Sequence, residues 1–549
     1  MSSLLISATQ LAVAARLIAG DDALVAEGGV LAALVAIIAC ATALGRVPRK
    51  AHLCDAAIFP TLLAVHCMAP SAVIGAHDWV QLQLRCSLCS CALAVAAALI
   101  GPFWSARTTA MAVAAGSISA AALVQADFNA AHAQAAVAAA LALATAAALR
   151  SALPGSFTLG EAILFAQVAS AVLLDAATPP PLRGEHEAAS NDAECLLALL
   201  ESGVAGTLVA CTALALTSAV WRSVRPRAPL PLAGFAAACA ALCGGLVLPW
   251  CAVALQRRTG AAAAALTPLA WLTAYFHRDG VAAAVVAYWI VALAVGLVAI
   301  DGIRRRELLR PIEVRKLFHV LALALFVPAA LARPHLLALA YGVAFCAGVL
   351  LECTRLLRIP RLAAGIERYL RPFTDGRDYD ESATAGGAIT THLYLLLGLA
   401  APLWLHLGLR GGGEGTTLAT ATATATAPWP RLLPMCGLVA IGVGDAAAAV
   451  VGSRLGKRTH RWRHDSGRSW EGSFAMLVAM ALSGAAWLGL VVGAEGETGG
   501  AWLEALSPAR LAGVAAALVT TTLVEALTMQ IDNLIIPLHA YCALALAVL

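Results

Sequence analysis

Charge is scarce in this chain: of 549 residues only 12% are Asp, Glu, Lys or Arg, and aromatic residues make up 6%. Soluble globular domains carry about 25% charged residues, so a water-facing globule of this size is excluded. The net charge of +4 is too small to suggest a nucleic-acid partner. No basic segment and no clear cleavage site open the chain, and Arg16 interrupts its first apolar run, so a removed signal peptide is not expected. A zinc site is also poorly supplied. The 15 cysteines are mostly scattered through apolar segments, and Cys86, Cys89 and Cys91, the one cluster, have no His or second Cys pair nearby. A Walker loop is missing too. Gly452 to Gly456 has three intervening residues rather than four, Arg458 stands where Ser or Thr would hold magnesium, and no strand precedes it.

What the chain has in abundance is apolar sequence, 61% of residues with a mean hydropathy of +0.83. Runs near the roughly 20 residues needed to cross a bilayer recur from end to end, about 15 to 17 of them. The expected fold is therefore all-α, a polytopic transmembrane helix bundle. An Ala-rich region over 1–300 has few functional signals, and its small residues favour close helix packing that could accommodate a lipid chain. Residues 301–549 carry most of the polar chemistry.

Charge sets a topology for that second region. Residues 301–316 hold six Lys or Arg against Asp301, Glu307 and Glu313, and a further arginine-rich segment runs from Arg355 to Arg371. The loop 454–468 has six Lys or Arg against Asp465. With spans at about 317–332, 335–353, 384–407, 432–452, 473–493, 511–530 and 534–549, every basic loop falls on one membrane face. The positive-inside rule makes that face cytosolic. The low-complexity tract GGGEGTTLATATATATAP then lies on the other side as a flexible linker. The same parity gathers Lys316, His319, Asp445, Glu471, Glu525 and Asp532 at the cytosolic face. Lys316 and His319 are i, i+3 neighbours on a helix. Glu525 and Asp532, at i, i+7, are expected on one stripe of another, before Pro537 disturbs it.

Carboxylates in or beside the hydrocarbon cost about 2.5–3.5 kcal/mol each on insertion scales and mark functional positions. Asp445, Glu525 and Asp532 are oxygen donors suited to a divalent cation, Mg²⁺ or Ca²⁺. Phosphoryl transfer asks for a cation held by carboxylates and for Lys or Arg to neutralise developing charge. The loop 452–472 supplies the second part. Its basic residues can neutralise phosphate charge, and its small residues Gly452, Ser453, Gly456 and Gly467 would let backbone amides approach phosphate oxygens. Each group also has a plainer use. Lys316 can be an interfacial anchor, Glu471 a helix-start acid, and the basic loop a lipid-headgroup contact. Trp462 and Trp470 suit either the membrane interface or stacking on a base.

Four segments carry a family resemblance: Arg315-Lys316-Leu317-Phe318-His319, Gly444-Asp445-Ala446-Ala447-Ala448 with Gly452 and Gly456, Ser469-Trp470-Glu471-Gly472-Ser473, and Glu525-Ala526-Leu527-Thr528-Met529-Gln530-Ile531-Asp532-Asn533-Leu534. On these the chain resembles the dolichol kinases, within a wider group that includes phytol kinases and CDP-diacylglycerol synthases. In the first half only Ser156-Phe157-Thr158-Leu159-Gly160-Glu161 shares it. The resemblance implies an endoplasmic reticulum membrane enzyme that phosphorylates dolichol with CTP, giving the dolichyl phosphate used in protein glycosylation. It places a CTP site in the loop from Gly452 to Gly472, facing the cytosol. The family's loop carries lysines just before its Ser/Thr-x-Glu-Gly element, where this chain has Gly467-Arg468; arginine keeps the charge and grips phosphate bidentately.

On this reading Asp445 and Asp532, with Glu525 or Glu471, hold one or two divalent ions on the CTP phosphates. Arg468, Lys457 and Arg458 steady the β and γ groups. Lys316 or His319 sits near the dolichol hydroxyl, with His319 or a carboxylate as general base. A cytidylyltransferase of the CDP-diacylglycerol synthase type and a membrane transporter are the alternatives.

Overall fold

The computed structural model describes residues 2–20, 30–36, 158–177, 192–225, 230–259, 267–370, 388–408, 429–456, 460–462, 468–495, 507–528 and 532–548, with isolated positions between 61 and 149. Among these the chain is helical, and its one β feature is an isolated bridge between Arg461 and Ser469. Lys457 and Arg458 lie outside the described residues, as do Cys86 and Cys89.

In chain order the helices are α1 (Ser2–Gly20), α2 (Leu159–Ala177), α3 (Asp192–Val224), α4 (Leu232–Leu242), α5 (Leu248–Thr259), α6 (Pro268–Arg278), α7 (Gly280–Arg305) and α8 (Pro311–Ala332). They continue with α9 (Pro334–Leu356), α10 (Leu362–Leu370), α11 (Thr391–Gly408), α12 (Ala446–Leu455), α13 (Trp470–Glu495), α14 (Pro508–Leu527) and α15 (Asp532–Val548). A π-helical turn, Cys243–Val247, joins α4 to α5, and a longer one, Leu438–Asp445, leads into α12.

Eight helices among the described residues are long and apolar enough to cross a membrane, five of them after residue 311. The chain is thus an all-α membrane protein. The segments 391–407 and 532–548 are apolar but shorter than a full span.

The helices fall into two compact units. One comprises Ala14–Trp271 and Leu339–Leu396. There Leu214, Leu230, Phe235, Leu357 and Ile359 form a buried cluster. Its α2 opens on a reciprocal cap, with the Thr158 amide donating to Glu161 (2.9 Å) and the Glu161 amide to the Thr158 hydroxyl (3.3 Å). The Thr-x-x-Glu spacing accounts for Glu161, whose carboxylate satisfies a helix-start donor.

The other unit comprises Met1–Val13, Leu272–Ala338 and Leu397–Leu549. At its centre Ala440, Ala448, Met476, Met480 and Ile536 are buried together, so the π turn, α12, α13 and α15 share one core. Small residues permit the close approach. A Cβ on Gly444 would meet Met480 at 2.8 Å, and one on Gly472 would meet the Ala448 carbonyl at 2.8 Å. Asp279 caps α7 through amides of Val281 and Ala282, and Arg333, at the α8–α9 turn, grips the same carboxylate.

The expected Glu525/Asp532 stripe is corrected here. Helix α14 ends at Leu527, Thr528 is extended (ψ 142°), and a new helix starts at Asp532. The two carboxylates therefore stand on different helices. Pro537 lies within the second helix and has no N–H to offer the Asn533 carbonyl four residues back. That carbonyl packs against Gly398, where any side chain would clash.

Candidate phosphoryl-transfer site

Asp445 is the last residue of the π turn, inside an apolar span, with a side chain 11% exposed. Lys316, on the second turn of α8, donates its ammonium to Asp445 Oδ2. His319, one turn further along α8, places Nε2 3.3 Å from the same oxygen. The other ring nitrogen of His319, Nδ1, is buried without a hydrogen-bond partner. A π turn adds a residue to the helix and shifts its face, a feature common at functional sites. Here it brings Asp445 against α8, whose i, i+3 spacing presents Lys316 and His319 together.

A second cluster forms around Arg468. Its Nε lies 3.1 Å from Glu525 Oε1, its Nη2 3.1 Å from Asp532 Oδ2, and its Nη1 donates to the Thr528 carbonyl. One guanidinium thus joins the end of α14 to the start of α15. The guanidinium spreads its donors over three nitrogens of a planar fork, whereas a lysine would present its N–H groups from a single point. Glu525 is 7% exposed, and its Oε2 is buried without a hydrogen-bond partner. Asp445, Lys316, Asp532 and Arg468 all lie close enough to act on its charge. The two clusters therefore belong to one electrostatic site.

The loop residues have mostly local partners. Ser469 caps α13, its hydroxyl accepting from the Gly472 amide at 3.2 Å. Gly452 and Gly456 make room for Ser469: a Cβ would reach its hydroxyl at 3.3 Å and 2.7 Å respectively. These glycines thus serve the packing of α12 on α13. Glu471, in the first turn of α13, pairs with His460 at 2.6 Å. Trp462 stacks on Trp470, with centroids 4.8 Å apart, and donates its indole N–H to Ser473 at 2.9 Å. With the Trp462 amide donating to the Arg468 carbonyl and the Arg461–Ser469 bridge, the two ends of the basic stretch are pinned side by side.

A rim of further charged residues borders these clusters. Arg454 grips Glu313 through Nε (2.6 Å) and Nη2 (3.2 Å), and Glu313 also accepts from the Arg310 amide at 3.2 Å. Arg310 in turn donates to the Ser453 carbonyl, 2.5 Å away. Arg310, Glu313 and Arg454 line an open concavity of 570 Å³ together with Glu307, Leu308 and Leu309. A sequence signal existed: Pro at the first position and Glu at the third mark a helix start, and Glu313 is three residues before Lys316. The cross-chain partnership with Arg454 had none.

The carboxylates suit a cation in part. All are hard oxygen donors, and the orphaned Glu525 Oε2 is a buried acceptor. Among the described residues, however, no three of His, Cys, Asp and Glu gather closely enough to form a cage. A magnesium site needs only one or two carboxylates when substrate phosphates supply the rest.

Comparison with known proteins agrees with the motifs. A dolichol kinase from Homo sapiens is 29% identical over 308 residues, 54% of this chain and 49% of the relative. The dolichol kinase EVAN of Arabidopsis thaliana is 28% identical over 280 residues, 51% of this chain and 43% of the relative. Dolichol kinase sec59 of Schizosaccharomyces pombe is 31% identical over 168 residues, 31% and 29% of the two chains. The chain spans about half the length of the first two relatives. No family model matches it, and no solved structure does. Its similarity is to dolichol kinases.

Proposed function

We propose that this chain is a CTP-dependent dolichol kinase, transferring the γ-phosphate of CTP to the hydroxyl of dolichol or a related polyprenol. The observation that carries the reading is the convergence of Lys316, His319, Asp445, Arg468, Glu525 and Asp532, drawn from five separate elements, in a chain similar to dolichol kinases. That similarity favours the kinase over a cytidylyltransferase or a transporter. The site belongs to the region 301–549, with the CTP loop at 452–472. The Ala-rich region 1–300 contributes further spans toward a total of about 15 to 17. We place the protein in the endoplasmic reticulum membrane with the loop toward the cytosol.

A divalent cation, Mg²⁺ or Ca²⁺, would neutralise phosphate charge when bound, and Asp445, Glu525 and Asp532 are the residues that would hold it. Lys316 stands beside Asp445 and stabilises charge on the transferring phosphoryl group. His319, with Nε2 beside the Asp445 carboxylate, is placed to take the proton from the prenol hydroxyl. The prenol oxygen then bonds to the γ-phosphorus, the bond to the β-phosphate oxygen breaks, and CDP leaves. Arg468 organises Glu525 and Asp532, and with Lys457 and Arg458 attracts the nucleotide phosphates. Ser453, Ser469 and Glu471 form the loop's frame with Gly452, Gly456 and Gly472, and the Trp462/Trp470 stack borders it.

Label at the γ position of CTP tests the reading. Its transfer to dolichol by the purified chain is the expected result. Transfer of α-label alone, to phosphatidate, would assign the chain to the cytidylyltransferases.

A further inference from the structure

An apolar cavity of 510 Å³ lies in the same unit, bounded by the π turn, α13, α14 and α15. It is within the range of about 300–1,000 Å³ typical of small-molecule sites. Thr521 is its one polar lining residue, and that hydroxyl already donates to the Ala517 carbonyl at 2.7 Å. The space exists because the facing positions are small, among them Ala440, Ala481, Gly484 and Ala515. A Cβ added at Gly484 would meet only Leu432, at 3.9 Å. On α13 and α14, Ala481, Ala485 and Leu511 are exposed, which leaves a lateral way in for an apolar chain.

Two walls of the cavity lead to the charged site. Thr521 precedes Glu525 by four residues on an α-helix, so both point to one face, about 6 Å apart along the axis. Ala440 precedes Asp445 by five residues within the π turn, and the i to i+5 repeat of a π-helix again aligns them. Both carboxylates therefore stand one turn beyond the same end of an apolar chamber. A ligand that fits has a long apolar body and a single reacting group at its tip. We infer that this cavity holds the hydroxyl-proximal isoprene units of the prenol substrate, with the hydroxyl directed at Asp445 and Glu525. The inference rests on the prenol kinase reading above and assigns the substrate's near end to α13 and α14 rather than to the region 1–300.

Photolabelling and kinetics test it on the full chain in phosphatidylcholine nanodiscs. A polyprenol with a diazirine near its hydroxyl end should label cavity-lining residues of α13 or α14, and unlabelled dolichol, but not added phosphatidylcholine, should compete. Gly484→Phe should abolish that label and raise the KM for dolichol about tenfold or more, while leaving the KM for CTP unchanged. Leu490→Phe, on the exposed face of α13, should behave as the parent. Equal competition by phosphatidylcholine, label outside the cavity, or an unchanged KM with Gly484→Phe would overturn the inference. If γ-phosphate transfer is absent yet dolichol-competed label maps to the cavity, the cavity assignment stands and the kinase reading falls.

Discussion

Lys316 and Asp445, 129 positions apart in sequence, meet as a largely enclosed ion pair, with side chains 14% and 11% exposed. His319 shares the same carboxylate oxygen. Removing one member of a buried pair leaves an uncompensated charge, at a cost of about 3–5 kcal/mol. Lys316→Met should therefore destabilise the protein, and Lys316→Met combined with Asp445→Leu should recover much of the loss. Both variants, and Asp445→Asn, should lose about 10²-fold or more in phosphoryl transfer. Thermal melts and the γ-label assay separate stability from chemistry; full activity in Asp445→Asn would remove that residue from the site.

Arg468 addresses three acceptors on two helices. A lysine there cannot reach all three at once. Arg468→Lys should lower activity about tenfold, the equivalent of 1.4 kcal/mol, and Arg468→Gln should lower it further because Glu525 then loses its cationic partner. Parental rates in both variants would show that the clamp is dispensable.

Asp279 and Arg333 give a pH dependence at the opposite end of α8. The Arg333 guanidinium holds the Asp279 carboxyl below the usual carboxylate range, and the Arg333 value is raised in return. A group with a depressed folded pKa contributes stability that is present above its unfolded pKa, about 3.9 for Asp, and lost as pH falls through the folded value. Melting temperature should thus fall on acidification below about pH 4. In Asp279→Asn, which keeps an N-cap side chain, that part of the acid limb should be absent. An unaltered acid limb would assign the loss to other carboxylates.

The topology is open to glycosylation scanning in cells that modify Asn-x-Ser/Thr on the lumenal side. Thr420→Asn creates an acceptor in the Thr/Ala tract, and His464→Asn creates one in the basic loop. The first should gain a glycan and the second should not; a glycan on the second variant would invert the proposed orientation.

The sequence by itself determined the solvent, the class of fold and the candidate chemistry. Scarce charge and long apolar runs require helices in a bilayer, because only internally satisfied backbone survives there. Charge in an apolar span marks Asp445 without any coordinates, for the desolvation cost demands a partner. Partnership across the chain was not legible in the same way. That Asp445 is held by Lys316 and His319, that Arg454 reaches Glu313, and that Arg468 spans Glu525 and Asp532 depend on helix packing, to which no local pattern refers. Local pattern also misread the C-terminal pair: i, i+7 spacing predicts one stripe only if the helix continues, and the extended backbone at Thr528 ends it. The glycines of the basic loop were visible as glycines, but only the approach of α12 to Ser469 and α13 decided that their missing side chains make room for protein. The cavity beside the carboxylates likewise exists because four segments turn small residues toward one another, an outcome of packing that one-dimensional spacing does not contain.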